Sequence, residues 1–285
     1  MDLSASTPRL RREQVAGMNI HYIMWSLDYF LDAQQRLGFK TIELWAAEPH
    51  VTLDHTGYFE ADKLRRKIES RGLSGSSLCP ENVVYPWQYA ARKPLHAQRS
   101  LAYFKHGIEL AEVLGAPYMS INSGWGDWDE DREEAWKRSA EHLAILADYA
   151  GEHGVTLCME SLRPEESNLV VTLADARRML DQVASPHLTP MVDTTAMGVA
   201  GESLEEWFAE FGDGAIRNMR FIDGDPYGHL VWGDGTHSMD DFVRVLNAHG
   251  FEGYLGQEIT DGRYFDDPAA ADRHNMDAFE RYFVD

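Results

Sequence analysis

The chain is poor in features that mark several classes of protein. It has only two cysteines, Cys79 and Cys158, and neither lies in a paired motif of the kind that binds zinc. No stretch approaches the roughly 20 apolar residues that cross a bilayer, and the polar N-terminus lacks the apolar core of a secretory signal. We therefore expect a cytoplasmic protein with reduced, buried thiols and no membrane partner.

Positive charge is also scarce. The 26 lysines and arginines are outnumbered by 47 aspartates and glutamates, which gives a formal net charge of -21. Such a surface repels polyanions, so the composition argues against a nucleic-acid partner. The sequence also lacks Ser/Gly-rich or Pro-rich linkers and internal repeats. We therefore expect one folded unit over residues 17–285, preceded by a flexible N-terminal tail over residues 1–16.

The sequence does contain a regular alternation of apolar runs with amphipathic segments. Strand candidates lie at residues 18–24, 41–45, 73–80, 117–122, 156–161, 189–194, 219–223 and 254–259. Segments with helical spacing separate them, and most of these end in a glycine, such as Gly38 or Gly115, just before the next strand. The order predicts an α/β protein with a single (β/α)8 TIM barrel. An open doubly wound sheet would carry a glycine-rich phosphate fingerprint after its first strand, and none is present.

Three carboxylates end apolar runs in the second half of the chain: Glu160 in VTLCMES, Asp193 in LTPMVDT and Glu258 in YLGQEIT. The strands of such a barrel bring their C-terminal residues to one mouth, where active sites lie. Isolated acids at buried strand ends are costly unless a cation meets them, and Mg²⁺ and Mn²⁺ prefer carboxylate oxygens. The pattern therefore predicts one shared cation site at the mouth of the barrel.

Each acid also has a structural alternative that the residues leave open. These alternatives are an ion pair of Glu160 with Arg163, a helix cap made by Asp193, and an ion pair of Glu258 with Arg220 or Arg263.

The chain resembles the xylose-isomerase-like barrels, and within them the ketose 3-epimerases of the fructoselysine type. The similarity lies in TIELWAAEPH, LCPENVVYPW, MESLRPEESNLVV, PMVDTTA, RFIDGDPYGHLVWGDG and YLGQEIT. It implies a divalent metal, Mn²⁺ or Mg²⁺, held at the mouth by Glu160, Asp193, Glu258 and a histidine of the seventh strand. Where that histidine is expected, this chain has Arg220.

Arg220 cannot serve as a metal ligand, because a guanidinium stays protonated and has no lone pair to donate. Two solutions follow. Either water or a neighbour such as Asp223 or His229 completes a metal site, or the guanidinium takes the place of the metal and polarises a substrate carbonyl itself.

The resemblance implies proton transfer next to a carbonyl, through an enediolate, on a ketose or a 3-keto sugar derivative. Glu160 and Glu258 are then the catalytic pair. Six residues are candidates for contact with the substrate: His50, Trp45, Trp87, Glu166, Arg220 and His229. The aromatic side chains of the mouth loops, which also include Tyr85, Trp125, Trp128, Tyr227 and Trp232, suit a substrate larger than a bare sugar.

Two further functions fit the same residues. One is the large subunit of a C-glycoside deglycosidase, a lyase acting on 3-oxo-C-glycosides with a small partner subunit. The other is a sugar-binding barrel without catalysis. The resemblance also implies a homo-oligomer, whichever of these functions applies.

Overall fold

The computed structural model describes residues 10–83 and 86–284 and confirms the predicted (β/α)8 barrel. Its strands are β1 (Val15–Met18), β2 (Thr41–Ala46), β3 (Ser74–Pro80), β4 (Tyr118–Ile121), β5 (Thr156–Glu160), β6 (Leu188–Asp193), β7 (Asn218–Arg220) and β8 (Tyr254–Gln257). All neighbouring pairs are parallel, and β1 closes the barrel on β8, where Val15 pairs with Leu255. Parallel pairing directs the C-terminal end of every strand to the same mouth.

The described part of the chain contains nine α-helices. They are α1 (Leu27–Leu37), α2 (Ala61–Glu69), α3 (Pro94–Leu114), α4 (Arg132–Glu152), α5 (Leu173–Val183), α6 (Thr194–Ala200), α7 (Leu204–Phe211), α8 (Met239–Ala248) and α9 (Pro268–Phe279). The short α6 is additional to the alternation that the sequence predicts. Among the described residues, no helix combines the length and the apolar character needed to span a bilayer.

Local sequence explains where these helices begin and end, as α1 illustrates. The Ser26 hydroxyl accepts a hydrogen bond from the Tyr29 N–H at 3.1 Å and caps the N-terminus. Phe30 and Leu31 are fully buried against the barrel. Gly38 ends the helix with a left-handed φ of 83°, as the sequence predicts for this glycine.

The first strand begins and ends earlier than the sequence predicts. The apolar run of residues 18–24 does not continue β1 but turns into a short 3-10 helix, Ile20–Tyr22, whose Tyr22 is fully buried. Burial makes this turn as apolar as a strand, so periodicity alone does not separate the two.

The folded unit likewise begins before the predicted residue 17. Leu10 is buried and pairs with Phe283. Residues 1–9 of the predicted tail lie outside the described residues.

Two small antiparallel hairpins lie outside the barrel. One pairs Leu53–Asp54 with Gly57–Tyr58. The other pairs Asp223–Asp225 with Tyr227–Leu230, and we call residues 223–230 the β7 hairpin. The predicted strand 219–223 is therefore shorter in the structure, since β7 ends at Arg220 and Asp223 already belongs to the hairpin.

Candidate active site

The predicted acids meet at the barrel mouth. Glu160, Asp193 and Arg220 are the last residues of β5, β6 and β7, and Glu258 directly follows β8. All of them line one pocket of about 240 Å³, together with His229 of the β7 hairpin. The structure thus places the four strand-end residues and one loop histidine around a single space.

Arg220 lies fully buried beneath this pocket. Its Nη1 forms an ion pair with Glu43 of β2, while its Nη2 donates to Cys79 Sγ at 3.1 Å and to Ser120 Oγ at 3.3 Å. Burial opposes the charge of Arg220, but the carboxylates around it, Glu258 and Glu43 first among them, outweigh burial and raise the pKa of Arg220 well above its usual value. The guanidinium is therefore a fixed cation inside the barrel.

The Nε of the same guanidinium faces the two predicted catalytic carboxylates. Glu258 Oε1 lies 3.3 Å from Arg220 Nε and Glu160 Oε1 lies 3.8 Å from it. Of the predicted alternative pairings, the one between Glu258 and Arg220 is present. Arg163 instead pairs with Glu166, and Arg263 pairs with Asp261 at 3.0 Å.

Glu43 is a member of this cluster that the sequence pattern of strand-end acids does not predict. It lies in the middle of β2, all of whose residues are buried, and Asn218 Nδ2 donates to its Oε1 at 3.4 Å. A single acid inside an otherwise buried strand requires a partner, so its position in TIELWA was an available signal.

His229 lies between two of the acids. Its Nε2 is 3.2 Å from Asp193 Oδ2, and its Nδ1 is 3.0 Å from Glu258 Oε2. Neither ring nitrogen has the angular geometry of a hydrogen bond. One ligand atom from each of these three residues lies within 4.8 Å of the others, a spacing at which they could hold a metal ion.

Asp193 makes the helix cap that the sequence left open, and its position is compatible with the predicted cation site. Its Oδ1 caps α6 by accepting hydrogen bonds from the N–H groups of Thr195 at 2.7 Å and Ala196 at 3.2 Å. Its Oδ2 remains directed at His229. The cap fixes the orientation of the carboxylate, so the helix contact and the cation site do not compete.

Asp223 has a different role. Its two oxygens accept hydrogen bonds from the N–H groups of Gly224, Gly233, Gly235 and His237 at 2.8 to 2.9 Å, which closes the loop around the β7 hairpin. With both oxygens engaged, Asp223 is not available to complete a metal site. Of the two neighbours that the sequence leaves open, the geometry therefore favours His229.

The acids of the site fall into two groups according to whether their pKa is raised or lowered. Burial raises the pKa of Glu160 well above its usual value despite the nearby Arg220. Burial also acts on Glu258, but Arg220 and His229 outweigh it and lower the pKa of that carboxyl. Burial is likewise outweighed at Asp193 by His229 and by the two capping N–H groups, so its pKa is lowered. For His229 burial favours the neutral ring, yet Asp193 and Glu258 raise its pKa well above the usual value.

Two of the other predicted contact residues also line the mouth pocket. Trp45 faces the pocket, and its Nε1 donates to Glu81 Oε2 at 2.8 Å. Glu166 lines the pocket too, and its Oε2 accepts from Arg163 Nε at 3.1 Å.

Two further predicted contact residues do not line this pocket. Both ring nitrogens of His50 have partners, since Nδ1 faces Asn19 Nδ2 at 2.8 Å and Nε2 faces the Trp25 carbonyl at 2.9 Å. Trp87 stacks on Tyr103 with ring centroids 4.2 Å apart. Tyr85 lies outside the described residues.

The family profile described as "Xylose isomerase-like TIM barrel" matches residues 31–282. Fructoselysine 3-epimerase of Shigella flexneri is 28% identical over 252 residues, which cover 88% of this chain and 90% of that protein.

Solved structures share the fold. The apo form of 3-keto-D-glucoside 4-epimerase from Escherichia coli matches with a TM-score of 0.78 and 16% identity, covering 93% of this chain and 98% of that chain. The IOLI protein, solved with a bound zinc atom, matches with a TM-score of 0.75 and 19% identity, covering 95% and 100%.

Proposed function

The chain belongs to the xylose isomerase-like TIM barrel family, and we propose that it is a sugar epimerase that moves a proton next to the carbonyl of a ketose or a 3-keto sugar derivative. The observation that carries the proposal is the placement of Glu160 and Glu258. The two carboxylates come from β5 and from the end of β8, line the same pocket, and approach the same Arg220 Nε. Two of the similar proteins, fructoselysine 3-epimerase and 3-keto-D-glucoside 4-epimerase, are sugar epimerases, which supports this reaction class.

Two carboxylates on either side of a sugar carbon are sufficient to invert it. One removes the proton beside the carbonyl to give an enediolate, and the other returns a proton to the opposite face. Arg220 keeps a positive charge below both carboxylates, which limits their mutual repulsion. Trp45 offers an aromatic face at the same pocket, which suits packing against the apolar face of a sugar ring.

The donor set at the mouth fits a divalent cation. Asp193, His229 and Glu258 offer two carboxylate oxygens and one imidazole nitrogen at ligand spacing. The cluster also stays negative without any charge on Glu160, because the carboxylates of Glu43, Asp193 and Glu258 outnumber one guanidinium and one imidazole. When bound there, a divalent cation supplies Lewis acidity that stabilises negative charge on the substrate oxygen. The imidazole favours Mn²⁺ over Mg²⁺, since Mg²⁺ selects oxygen ligands.

Proton exchange tests the proposed function directly. The purified protein is incubated in D₂O with a panel of ketoses and 3-keto glycosides, with and without Mn²⁺, and deuterium incorporation beside the carbonyl is followed by NMR. We expect incorporation that falls by about 10²-fold or more in Glu160→Gln and in Glu258→Gln. Glu252→Gln, a change at an exposed glutamate just before the N-terminal end of β8, is the matched control and should retain full exchange.

Two results would count against the epimerase. One is no exchange into any substrate of the panel at saturating Mn²⁺. The other is exchange that both active-site variants retain at the rate of the control. A C-glycoside lyase would instead release aglycone from a 3-oxo-C-glycoside, which the same spectra detect.

A further inference from the structure

A second cavity lies beside the mouth pocket. We call it the side cleft, and Trp125, Trp128, Pro164, Glu165, Glu166 and Asn168 are among the residues that line it. Its volume is about 210 Å³. The cleft lies between the loop that follows β4 and the loop that follows β5, both at the mouth end of the barrel.

The walls of the side cleft are held together by hydrogen bonds between the two loops. Gly126 N–H donates to Asn168 Oδ1 at 2.8 Å, and Asn168 Nδ2 donates back to the Gly126 carbonyl at 2.9 Å. Ser167 Oγ donates to the Gly124 carbonyl at 2.7 Å, and Arg132 Nε donates to the Asn168 carbonyl at 2.8 Å. The cleft is therefore preformed, so a ligand would not have to order these loops.

The indole of Trp128 is the unusual feature of the cleft. The residue is 86% exposed, the highest value among the exposed large hydrophobic residues of the described part. An indole left in water forgoes the stabilisation that its burial would give, and flat aromatic groups stack well on it. Pro164 is exposed as well, so the cleft presents apolar surface to solvent from both loops.

The side cleft adjoins the mouth pocket. Glu166 lines both cavities, and its ion pair with Arg163 forms the shared edge. The β7 hairpin reaches the same edge, because Tyr227 Oη donates to Glu165 Oε1 at 3.1 Å while His229 of that hairpin lies in the mouth pocket. One ligand could therefore occupy both cavities.

We propose that the side cleft binds the aglycone of a glycoside substrate, a neutral planar group such as an aryl ring, while the sugar ring lies in the mouth pocket. This inference rests on the proposed function for the role of the mouth pocket. The two carboxylates of the cleft exclude an anionic aglycone. Both already have partners, Arg163 for Glu166 and Tyr227 for Glu165, so a cationic group is not required. The indole and proline surfaces fit a flat apolar group.

Binding, measured without turnover, tests the side cleft. The probes are phenyl β-D-glucoside and methyl β-D-glucoside, titrated by isothermal calorimetry against the unaltered protein, Trp128→Ala and Glu258→Gln. We expect the phenyl glycoside to bind about five- to tenfold more tightly than the methyl glycoside, a preference that Trp128→Ala removes and Glu258→Gln keeps. A Trp25→Ala variant, which truncates a partly buried tryptophan that lines neither cavity, is the control for general effects and should keep the preference.

The outcomes separate this inference from the proposed function. Equal binding of the two glycosides by the unaltered protein, or a phenyl preference that survives Trp128→Ala, would overturn it. A change of oligomeric state in Trp128→Ala with an unchanged preference, seen by light scattering, would assign the indole to a protein contact and also overturn it. A phenyl preference in a protein that shows no proton exchange with any substrate would support the side cleft and count against the epimerase alone.

Discussion

A single residue, Arg220, puts a fixed positive charge at the position where a histidine ligand was expected. Its guanidinium and the Glu43 carboxylate are both fully buried and pair with each other, so neither charge faces water. A buried ion pair contributes little net stability, but removing one partner leaves an uncompensated charge in the interior. The pair therefore constrains the positions of both side chains more than it stabilises the fold.

The first prediction concerns this buried pair. Glu43→Gln should lower the free energy of unfolding by about 3–5 kcal/mol, because the guanidinium loses the buried carboxylate that pairs with its Nη1. Arg220→Met should cost a similar amount, and the double variant should cost clearly less than the sum of the two single changes. Urea denaturation followed by circular dichroism measures all three. Additive costs would show that the two residues do not interact.

An exposed ion pair provides the control for that cycle. Arg12 and Glu280 pair at 2.8 Å on the surface, where such pairs are worth about 0–1 kcal/mol. The corresponding variants Glu280→Gln and Arg12→Met should each change stability little, and their coupling should be small.

The second prediction concerns His229. If the imidazole completes a metal site with Asp193 and Glu258, His229→Ala should weaken Mn²⁺ binding by about 100-fold or more. Calorimetric titration with MnCl₂ measures the affinity. His96→Ala, at an exposed position outside the mouth pocket, is the control. Unchanged Mn²⁺ affinity in His229→Ala would remove this residue from the ligand set.

Part of the site was predictable from single residues and part was not. Glu160, Asp193 and Glu258 stand at the ends of apolar runs, and a parallel barrel brings such ends together, so the sequence was sufficient to predict their proximity. The contact of Arg220 with Glu43 crosses the barrel interior from β7 to β2. Which inward side chains meet there depends on tilt and register, and neither can be read from the spacing of residues in one strand.

At the scale of elements, a histidine whose charge depends on pH connects α7 with the end of α8. His249, which follows α8, stacks on Phe208 of α7 with ring centroids 4.5 Å apart. Its Nδ1 lies 2.7 Å from Asp213 Oδ1, and its Nε2 lies 3.3 Å from Glu205 Oε1. Burial favours the neutral ring, but the two carboxylates outweigh it and raise the pKa of His249.

The third prediction is the pH dependence of this contact. Because the pKa of His249 is raised in the folded state, its stabilisation is complete below the unfolded value of about 6.5 and is lost as pH rises through the folded value. His249→Gln should therefore cost more stability at pH 5.5 than at pH 9, by less than about 1 kcal/mol. Denaturation of both proteins at the two pH values measures the difference. A cost that grows with pH would contradict the assignment, and His96→Gln is the control.

The elements also show that sequence patterns predict the order of the strands better than their ends. The alternation of apolar runs correctly predicts all barrel strands in order, since parallel strands buried on both faces read as continuous apolar stretches. It misplaces the ends of β1 and β7, because the buried 3-10 turn at Ile20–Tyr22 and the buried Phe221 and Ile222 extend the apolar runs beyond the strands themselves. The hairpin depends on Asp223, whose hydrogen bonds reach residues up to fourteen positions away.

The whole molecule carries a formal net charge of -21. The excess negative charges repel one another, which destabilises the compact folded state. Surface ion pairs such as Arg71 with Asp32 at 2.6 Å relieve this repulsion locally, but over the whole chain 47 acidic residues outnumber 26 basic ones. Salt screens this repulsion over about 10 Å at 0.1 M.

The fourth prediction follows from that screening. The melting temperature should rise by a few degrees when NaCl increases from 10 to 150 mM at pH 7.5, because the folded state concentrates the charge more than the unfolded chain does. Differential scanning calorimetry measures it. A variant with Glu134→Lys and Glu252→Lys, both at exposed positions, should show a smaller rise. A melting temperature that falls with added salt would contradict the prediction.

The β7 hairpin has a consequence for how this barrel can evolve. His229 is delivered by a ribbon that Asp223 closes on itself, and not by the strand whose end holds Arg220. Both side chains line the mouth pocket, but they belong to different segments of the chain, Arg220 to the strand and His229 to the hairpin. Substitutions in the hairpin can therefore change the residues of the mouth pocket without changing the buried pair of Arg220 and Glu43. In the same way, a substitution at Arg220 can leave the position of His229 unchanged.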